Sequence, residues 1–198
     1  MKITYFGHAH FLIEGSEYSI TLDPFSNIGL KEFKTKSDYV FCSHNHYDHS
    51  NLLLVPNAKL VSSDSFTVIK TYHDEKNGTL RGENNVLLFN LDGFKIAFLG
   101  DLGEYNNQTL ISRLKGVDLL LIPVGGTYTI DYKGAFEYIS KIQPKAVIPM
   151  HYHIKNSTVD IDEPFKFLNL FKTYKTANSP LDFNGENGII YLISEQGE

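Results

Sequence analysis

The sequence predicts an α/β protein built from two β-sheets with helices on their outer faces. Short apolar runs typical of strands occur as a set that is repeated along the chain. Segments with apolar residues at nearly 3.6-residue spacing, typical of amphipathic helices, lie between and after these sets. Sheets and helices with one apolar side bury it by stacking in layers. At 198 residues, we expect residues 1–198 to form a single domain.

The first half of the chain contains four predicted strands, at residues 2–6, 11–14, 18–22 and 39–42. The first two form a hairpin-like pair. The third ends in Asp23-Pro24, and the fourth opens into a histidine-rich loop.

The second half repeats this order. Predicted strands at residues 85–89 and 95–99 flank Asp92-Gly93, which is a strong hairpin signal. The second of them ends in Gly100-Asp101, and the next strand, 118–122, opens into the loop 123–126. We therefore predict an internal repeat of two paired strands, an aspartate, and a strand that ends in a loop.

Three helices are predicted, at residues 105–114, 132–142 and 164–174, and a strand at 188–193 closes the chain. The second helix has its apolar residues on one face and stops before Pro144, because the residue before a proline disfavours helical geometry. In the third, Pro164 suits a first helical turn.

Composition is that of an ordinary soluble protein, with 42% hydrophobic and 21% charged residues. The net charge of −5 and the lack of a Lys/Arg cluster argue against a nucleic-acid partner. The single cysteine, Cys42, excludes an internal disulfide and fits a reducing compartment. With no signal peptide and no long apolar stretch, we expect a cytoplasmic protein without a membrane span; the oligomeric state stays open.

A metal site is predicted at residues 43–49, Ser-His-Asn-His-Tyr-Asp-His. If this segment stays extended, His44, His46 and Asp48 point to one side, and a turn at Asp48 would bring His49 to the same cavity. Imidazole and carboxylate ligands suit zinc, manganese or iron. A polar surface loop would not need this spacing. Such a cluster can serve two ions at the ~3.5–4 Å separation of binuclear hydrolases.

Three further residues each follow a predicted strand: His73, Asp101 and His151. Taken singly, His73 could be a surface residue, Asp101 a helix N-cap, and His151 a core histidine bonded to backbone. Together with the first cluster we expect them to complete the site, because a partial site would leave cation charge unbalanced.

The combination resembles the metallo-β-lactamase superfamily, whose signature is His-x-His-x-Asp-His followed by a His, an Asp and a final His. More narrowly, it resembles a short subgroup of metal-dependent hydrolases with lactonase relatives. Accessory motifs extend the resemblance over nearly the whole chain: Gly7-His8-Ala9, Leu22-Asp23-Pro24, His73-Asp74, Arg81-Gly82, and residues 99–103, 123–129 and 148–152.

The resemblance implies an αββα sandwich of two mixed β-sheets with helices on the outer faces and metals at one edge between the sheets. It implies two divalent cations, zinc before manganese or iron. By this resemblance the first ion takes His44, His46 and His73, the second takes Asp48, His49 and His151, and Asp101 bridges them.

The implied activity is metal-dependent hydrolysis, in which a hydroxide that bridges the two metals attacks a small ester, lactone or related substrate. Asp48 would be the catalytic residue that orients the hydroxide and takes its proton. The short chain leaves little length for recognition domains, which favours a small-molecule substrate. The alternatives are a phosphodiesterase or nuclease on the same core, or a metal-retaining binding module without turnover.

Four residues are candidates for supporting roles. Asp23 could accept the second N–H of a metal-bound histidine, and His8 could line the site or pack. Tyr128 could contact substrate or merely follow the Gly125-Gly126 turn, and Arg81 could bind an anionic substrate or form a salt bridge. We expect His10 and His153 at the surface or the rim.

Overall fold

The computed structural model describes residues 1–62 and 66–197, which form two mixed β-sheets. The strands of the first sheet are β1 (Lys2–Gly7), β2 (His10–Glu14), β3 (Ser19–Leu22), β4 (Tyr39–Phe41), β5 (Lys59–Leu60) and β12 (Leu181–Asp182). Their order is β12-β1-β2-β3-β4-β5. Strand β2 is antiparallel to β1 and β3, whereas β4 is parallel to both β3 and β5.

The strands of the second sheet are β6 (Thr67–Tyr72), β7 (Glu83–Leu91), β8 (Phe94–Phe98), β9 (Leu119–Pro123), β10 (Ala146–Met150), β11 (Lys175–Ala177) and β13 (Ile189–Ile193). Their order is β11-β13-β10-β9-β8-β7-β6. Strand β7 is antiparallel to β6 and β8, and the strands from β8 to β11 across the sheet are parallel.

The predicted internal repeat is present in the topology. In the first sheet β1, β2 and β3 are antiparallel neighbours and β4 then pairs in parallel with β3. In the second sheet β6, β7 and β8 are antiparallel neighbours and β9 pairs in parallel with β8. Each half therefore ends with two parallel strands whose carboxyl ends lie at the same edge.

The two sheets pack face to face around an aromatic core. The ring of Phe98 in β8 lies 6.5 Å from that of Phe11 in β2 and 6.3 Å from that of Phe41 in β4, measured between centroids. All residues of β9 and β10 are buried, as their unbroken apolar runs predict. Burying one such phenylalanine contributes about 1.5–3 kcal/mol.

Among the described residues the α-helices are α1 (Gln108–Leu114), α2 (Tyr132–Ile142) and α3 (Phe165–Leu168), and a 3-10 helix covers Leu52–Leu54. Helix α2 packs on β9 and contacts both α1 and α3. It has the predicted bounds because the Asp131 side chain caps its first turn and Gln143 ends it in the left-handed conformation, with φ 55°. Helix α1 begins later than predicted, where the Asn107 side chain accepts a hydrogen bond from the Leu110 N–H.

The predicted helix 164–174 is wrong beyond its first turn. Helix α3 ends at Leu168, and from Lys175 the chain pairs with β13 as an edge strand. The apolar face of this segment is only partly buried, with Phe165 53% and Leu170 41% exposed, so packing does not support a longer helix. The short strands β5, β11 and β12 are also absent from the prediction, since two or three residues carry no readable period. No helix in the described ranges is long and apolar enough to cross a bilayer.

Candidate metal centre

The candidate site lies where strands that run in the same direction end. In the first sheet β1, β3 and β4 point to one edge, and in the second sheet β6, β8, β9 and β10 do. The residues that follow these strands are His8, Asp23, Ser43 to His49, His73, Asp101 and His151. This shared direction brings side chains that are distant in sequence to one edge of the sandwich.

The Asp101 carboxylate lies at the centre of the cluster and is 1% exposed. Its Oδ2 is 3.1 Å from His49 Nε2, 3.1 Å from His73 Nε2, 3.2 Å from His151 Nε2 and 4.0 Å from His44 Nε2. The Oδ1 atom of Asp101 and the Nε2 atom of His44 are buried and have no hydrogen-bond partner. Buried polar atoms without a partner are costly, and a bound cation would remove that cost.

One group of candidate ligands consists of His44, His46 and His73, whose ligand atoms lie within 4.8 Å of one another. His44 and His73 are buried, whereas His46 is exposed towards the opening. The expected extended path through residues 44–48 is wrong, because the chain bends directly after β4. The turn at Asp48 is present, closed by the His49 N–H and the His46 carbonyl at 3.0 Å.

A second group consists of the buried residues His8, His49 and His151, with candidate ligand atoms again within 4.8 Å. His8 Nε2 lies 3.1 Å from His49 Nε2 and 3.4 Å from Asp48 Oδ2. The sequence suggested only that His8 lines the site or packs, and the structure places it among the donor atoms. The sequence signal for His8 as a candidate ligand is its position directly after β1, because the other residues of the cluster also follow the ends of strands.

Asp23 and Ser43 orient two of the imidazoles. The Asp23 carboxylate accepts hydrogen bonds from the Ser43 N–H at 2.6 Å, the Ser43 hydroxyl at 2.5 Å and His49 Nδ1 at 2.7 Å. The Ser43 oxygen in turn accepts from His44 Nδ1 at 2.9 Å. With the proton on Nδ1, the Nε2 lone pairs of His44 and His49 are free for a cation. The sequence pointed to Asp23 but missed Ser43, whose signal is its place directly before the first histidine.

The Tyr128 main chain orients a third imidazole. His73 Nδ1 donates to the Tyr128 carbonyl at 3.0 Å, which leaves Nε2 facing Asp101. The phenol ring of Tyr128 lies instead beside Arg81, whose guanidinium carbon is 5.4 Å from the ring centroid. Tyr128 therefore contributes to the cluster through its backbone, and its side chain lines the approach.

The backbone around the cluster adopts unusual conformations. His8, Asp23 and His151 have φ values of 56°, 41° and 52°, in the left-handed region that non-glycine residues seldom occupy. Such residues concentrate at functional sites, where the surrounding structure holds them. Gly100, with φ 52°, precedes Asp101, and a Cβ there would lie 2.3 Å from Ser43 Cβ. This close approach explains why glycine precedes the central aspartate.

Burial and neighbouring charges set the protonation of the cluster. Burial lowers the pKa of His8 to about 3 and that of His44 to about 2, so both imidazoles are neutral near pH 7. Burial alone would also lower the pKa of His49, but the carboxylates of Asp101 and Asp23 outweigh it and hold that pKa well above its usual value. Burial opposes ionisation of Asp101, yet His151 and His49 hold the pKa of its carboxyl well below the usual range.

The donor set fits divalent cations. Imidazole nitrogens and carboxylate oxygens are ligands that zinc, manganese and iron share. Metal–ligand bonds of about 2.0–2.2 Å place neighbouring ligand atoms roughly 3–3.5 Å apart. The separations of 3.1 Å and 3.2 Å around Asp101 Oδ2 and of 3.1 Å between His8 and His49 are of this size.

Two clefts open beside the cluster. One, of about 410 Å³, is lined by His46, Tyr47, Asp48, His73, Arg81, Asp101, Tyr128, His151, Thr158 and Val159. The other, of about 550 Å³, shares His46 and Arg81 with the first and extends past Cys42 to Leu52 and Leu60. Burial raises the pKa of the Cys42 thiol to about 12, which makes it a poor nucleophile at neutral pH.

His10 lies outside the cluster, and the prediction that it is a surface or rim residue is wrong. It is 0% exposed, because β2 faces the core at this position, and its ring lies 4.5 Å from that of Phe6 and 5.5 Å from that of Phe25. Neither ring nitrogen has a hydrogen-bond partner. His153 is partly exposed, as expected.

Comparison with known families and structures agrees with this geometry. Residues 2–151 match the family model described as a beta-lactamase superfamily domain. A UPF0173 metal-dependent hydrolase of Pelotomaculum thermopropionicum is 32% identical over 194 residues, which cover 77% of this chain and 85% of the relative.

Two solved structures show the same fold. A candidate zinc-dependent hydrolase of the metallo-beta-lactamase superfamily from Thermotoga maritima has a TM-score of 0.80 and 31% identity, and covers 98% of this chain and 99% of its own. A candidate metal-dependent hydrolase from Parabacteroides distasonis has a TM-score of 0.69 and 19% identity, covering 98% of this chain and 92% of its own.

Proposed function

Because the chain belongs to the metallo-β-lactamase superfamily and is related to its UPF0173 metal-dependent hydrolases, we propose that it is a binuclear hydrolase of small esters or lactones. The observation that carries this proposal is the convergence of His49, His73 and His151 on one oxygen of Asp101. A single carboxylate oxygen among several imidazoles is suited to being shared between two cations.

In this proposal Asp101 is shared, and the remaining candidate ligands divide between the two cations. The first cation, zinc before manganese or iron, would be held by His44, His46 and His73, and the second by Asp48, His49, His151 and also His8. Two such cations lower the pKa of a shared water towards ~7 and polarise the oxygen of the substrate.

Asp48 is the proposed catalytic carboxylate. Its side chain lines the cleft and is 19% exposed, whereas that of Asp101 is 1% exposed. Burial opposes its ionisation, but the hydrogen bond from His8 and the charge of His49 hold the pKa of Asp48 below its usual value. An ionised Oδ2 at this position can accept the O–H of the attacking water and so direct its oxygen at the substrate.

The size of the cleft beside the cluster supports a small substrate. The cleft of about 410 Å³ is within the range of small-molecule sites. The net charge of −5 argues against a polynucleotide substrate, as does the lining of the cleft, in which Arg81 is the one Lys or Arg among the described residues. Ester or lactone hydrolysis therefore ranks above phosphodiester hydrolysis.

The test is purification without chelator, followed by metal quantification and assay against chromogenic esters, lactones and phosphodiesters. We expect two metal ions per chain and turnover of esters or lactones. His46→Ala should lose metal and activity together, whereas His153→Ala should retain both. Two metals with no turnover of any class would establish a binding module instead, one metal per chain would refute the binuclear site, and turnover of phosphodiesters alone would identify the runner-up activity.

A further inference from the structure

We propose that Arg81 binds an oxyanion of the substrate, a carboxylate or a phosphate, so that the preferred substrate is a small anionic ester or lactone. This inference rests on the proposed hydrolase function and names the substrate class for it. Its starting observation is that Arg81 lines both clefts beside the cluster.

The loop that carries Arg81 is held rigidly beside the metal-binding cluster. The Asp74 carboxylate accepts hydrogen bonds of 2.7–3.0 Å from the backbone N–H groups of Lys76, Gly78, Leu80 and Arg81. The loop closes on the candidate ligand His73, whose N–H donates to the Gly82 carbonyl at 3.0 Å. The Arg81 backbone is therefore fixed relative to His73, as a binding group needs to be.

The guanidinium of Arg81 has no acceptor of its own. Across the described ranges it forms no ion pair and no side-chain hydrogen bond, so the salt bridge considered from the sequence is not formed there. Within those ranges its charge lies over the Tyr128 ring, with the guanidinium carbon 5.4 Å from the ring centroid. A cation–π contact leaves the N–H groups of the guanidinium available, and their planar arrangement matches carboxylate and phosphate oxygens.

Charge in the cleft favours the same class of ligand. Two bound dications would contribute +4, which the carboxylates of Asp23, Asp48 and Asp101 and the bound hydroxide would offset with about −4, so Arg81 would add a positive charge that these groups do not neutralise. The chain as a whole carries −5, so this positive charge is local to the site. An anionic group of the substrate beside Arg81 would neutralise that charge.

The location lets one small molecule reach both groups. Arg81 shares the 410 Å³ cleft with His46, Asp101 and His151. A substrate whose oxyanion contacts the guanidinium can therefore place its ester carbonyl towards the candidate ligands. Arg81 would then determine specificity and would not take part in bond breaking.

The experiment compares three matched acetate esters with the metal-loaded protein: 4-acetoxybenzoate, 4-acetoxyphenyl phosphate and the neutral methyl 4-acetoxybenzoate. We expect kcat/KM to favour at least one anionic ester over the neutral one by about 10- to 100-fold. Arg81→Gln should remove that preference, mainly through KM, and Arg81→Lys should keep part of it. Arg113→Gln, at an exposed position of α1, is the matched control and should keep all of it.

A binding measurement separates this inference from the hydrolase proposal. Calorimetry of 4-hydroxybenzoate and of phenyl phosphate with the metal-loaded protein requires no turnover, and Arg81→Gln should weaken the favoured anion at least about tenfold. Anion binding through Arg81 without ester hydrolysis would overturn only the hydrolase function. Turnover with no preference for anionic esters, or an equal loss for all three esters in Arg81→Gln, would overturn the role of Arg81. Whichever of 4-hydroxybenzoate and phenyl phosphate binds more tightly shows whether Arg81 prefers a carboxylate or a phosphate.

Discussion

The Nε2 atoms of His8 and His49 face each other at 3.1 Å, and both side chains are buried. His49 uses its other ring nitrogen to donate to Asp23, so its Nε2 lone pair is free when the ring is neutral. Two imidazole nitrogens this close must share a proton or a cation, since two lone pairs repel. His151 and Asp48 lie beside the same pair, which is why we assign His8 to the second cation.

Replacing His8 tests this assignment. Asparagine tolerates the left-handed backbone at this position, φ 56°, so His8→Asn should fold. We expect the affinity for one of two metal ions to fall by at least about 10-fold, while the other ion is retained. Metal titration and the visible spectrum of the cobalt-substituted protein measure this directly. His153→Asn is the control, and an unchanged cobalt spectrum in His8→Asn would show that His8 is not a ligand.

Asp48→Asn should separate rate from metal binding. The amide keeps an oxygen near the second cation but cannot take a proton, so kcat should fall by roughly 10²–10⁴. Metal content, measured on the same sample, should fall far less. A loss of rate that merely follows the loss of metal would assign Asp48 a ligand role alone.

Ser43→Ala should weaken the first cation site without touching a ligand. It removes the acceptor of His44 Nδ1 and a donor to Asp23. A buried N–H left unpaired costs about 1–3 kcal/mol, and loss of such an orienting partner typically lowers metal affinity about 10- to 100-fold. Chemical unfolding of the metal-free protein measures the loss of stability, and metal titration measures the loss of metal affinity. Ser112→Ala, on the exposed face of α1, should change neither, and a Ser43→Ala protein with wild-type values would exclude the orienting role.

His10→Leu should stabilise the protein, most strongly in acid. Burial lowers the pKa of His10 to about 3, whereas an unfolded histidine titrates near 6.5. Below pH 6.5 the unfolded chain therefore binds a proton that the folded chain cannot, and stability falls by up to about 1.4 kcal/mol per pH unit from this group. Leucine removes the penalty and the two unpaired nitrogens, so the gain should be about 2 kcal/mol larger at pH 5 than at pH 8. Equal gains in unfolding free energy at both pH values would contradict the buried neutral state.

Metal binding near pH 7 should release protons. The raised pKa of His49 keeps its ring protonated in the metal-free protein, and a ligand imidazole must be neutral. The affinity for metal should therefore rise with pH. In the metal-free protein, protonated His49 contributes its whole stabilisation below about pH 6.5. That stabilisation is lost as pH rises through the raised pKa of His49.

Calorimetry of metal binding in two buffers of different ionisation enthalpy counts the released protons. We expect about one proton fewer for His49→Gln, which lacks the titrating ring. Identical binding enthalpies in both buffers would show that no proton leaves.

Features that depend on near neighbours in the chain were predictable. Unbroken apolar runs identified β9 and β10, the spacing and the stop before Pro144 identified α2, and the histidine-aspartate pattern identified the candidate ligands. These signals need only the local backbone periods and the chemistry of side chains, both of which are written in the order of residues.

Only the tertiary structure decided which residues meet. The order of residues does not reveal that Ser43 links His44 to Asp23, or that His10 packs against Phe6 and Phe25. It also does not reveal that Arg81 lies beside the Tyr128 ring and forms no ion pair within the described ranges. Nor did it show that the third helix would end at Leu168 or that residues 175–177 would pair with β13. Each outcome is a competition among partners far apart in the chain. The packing of the two sheets settles that competition, because it determines which strand ends share an edge and which side chains are cut off from water.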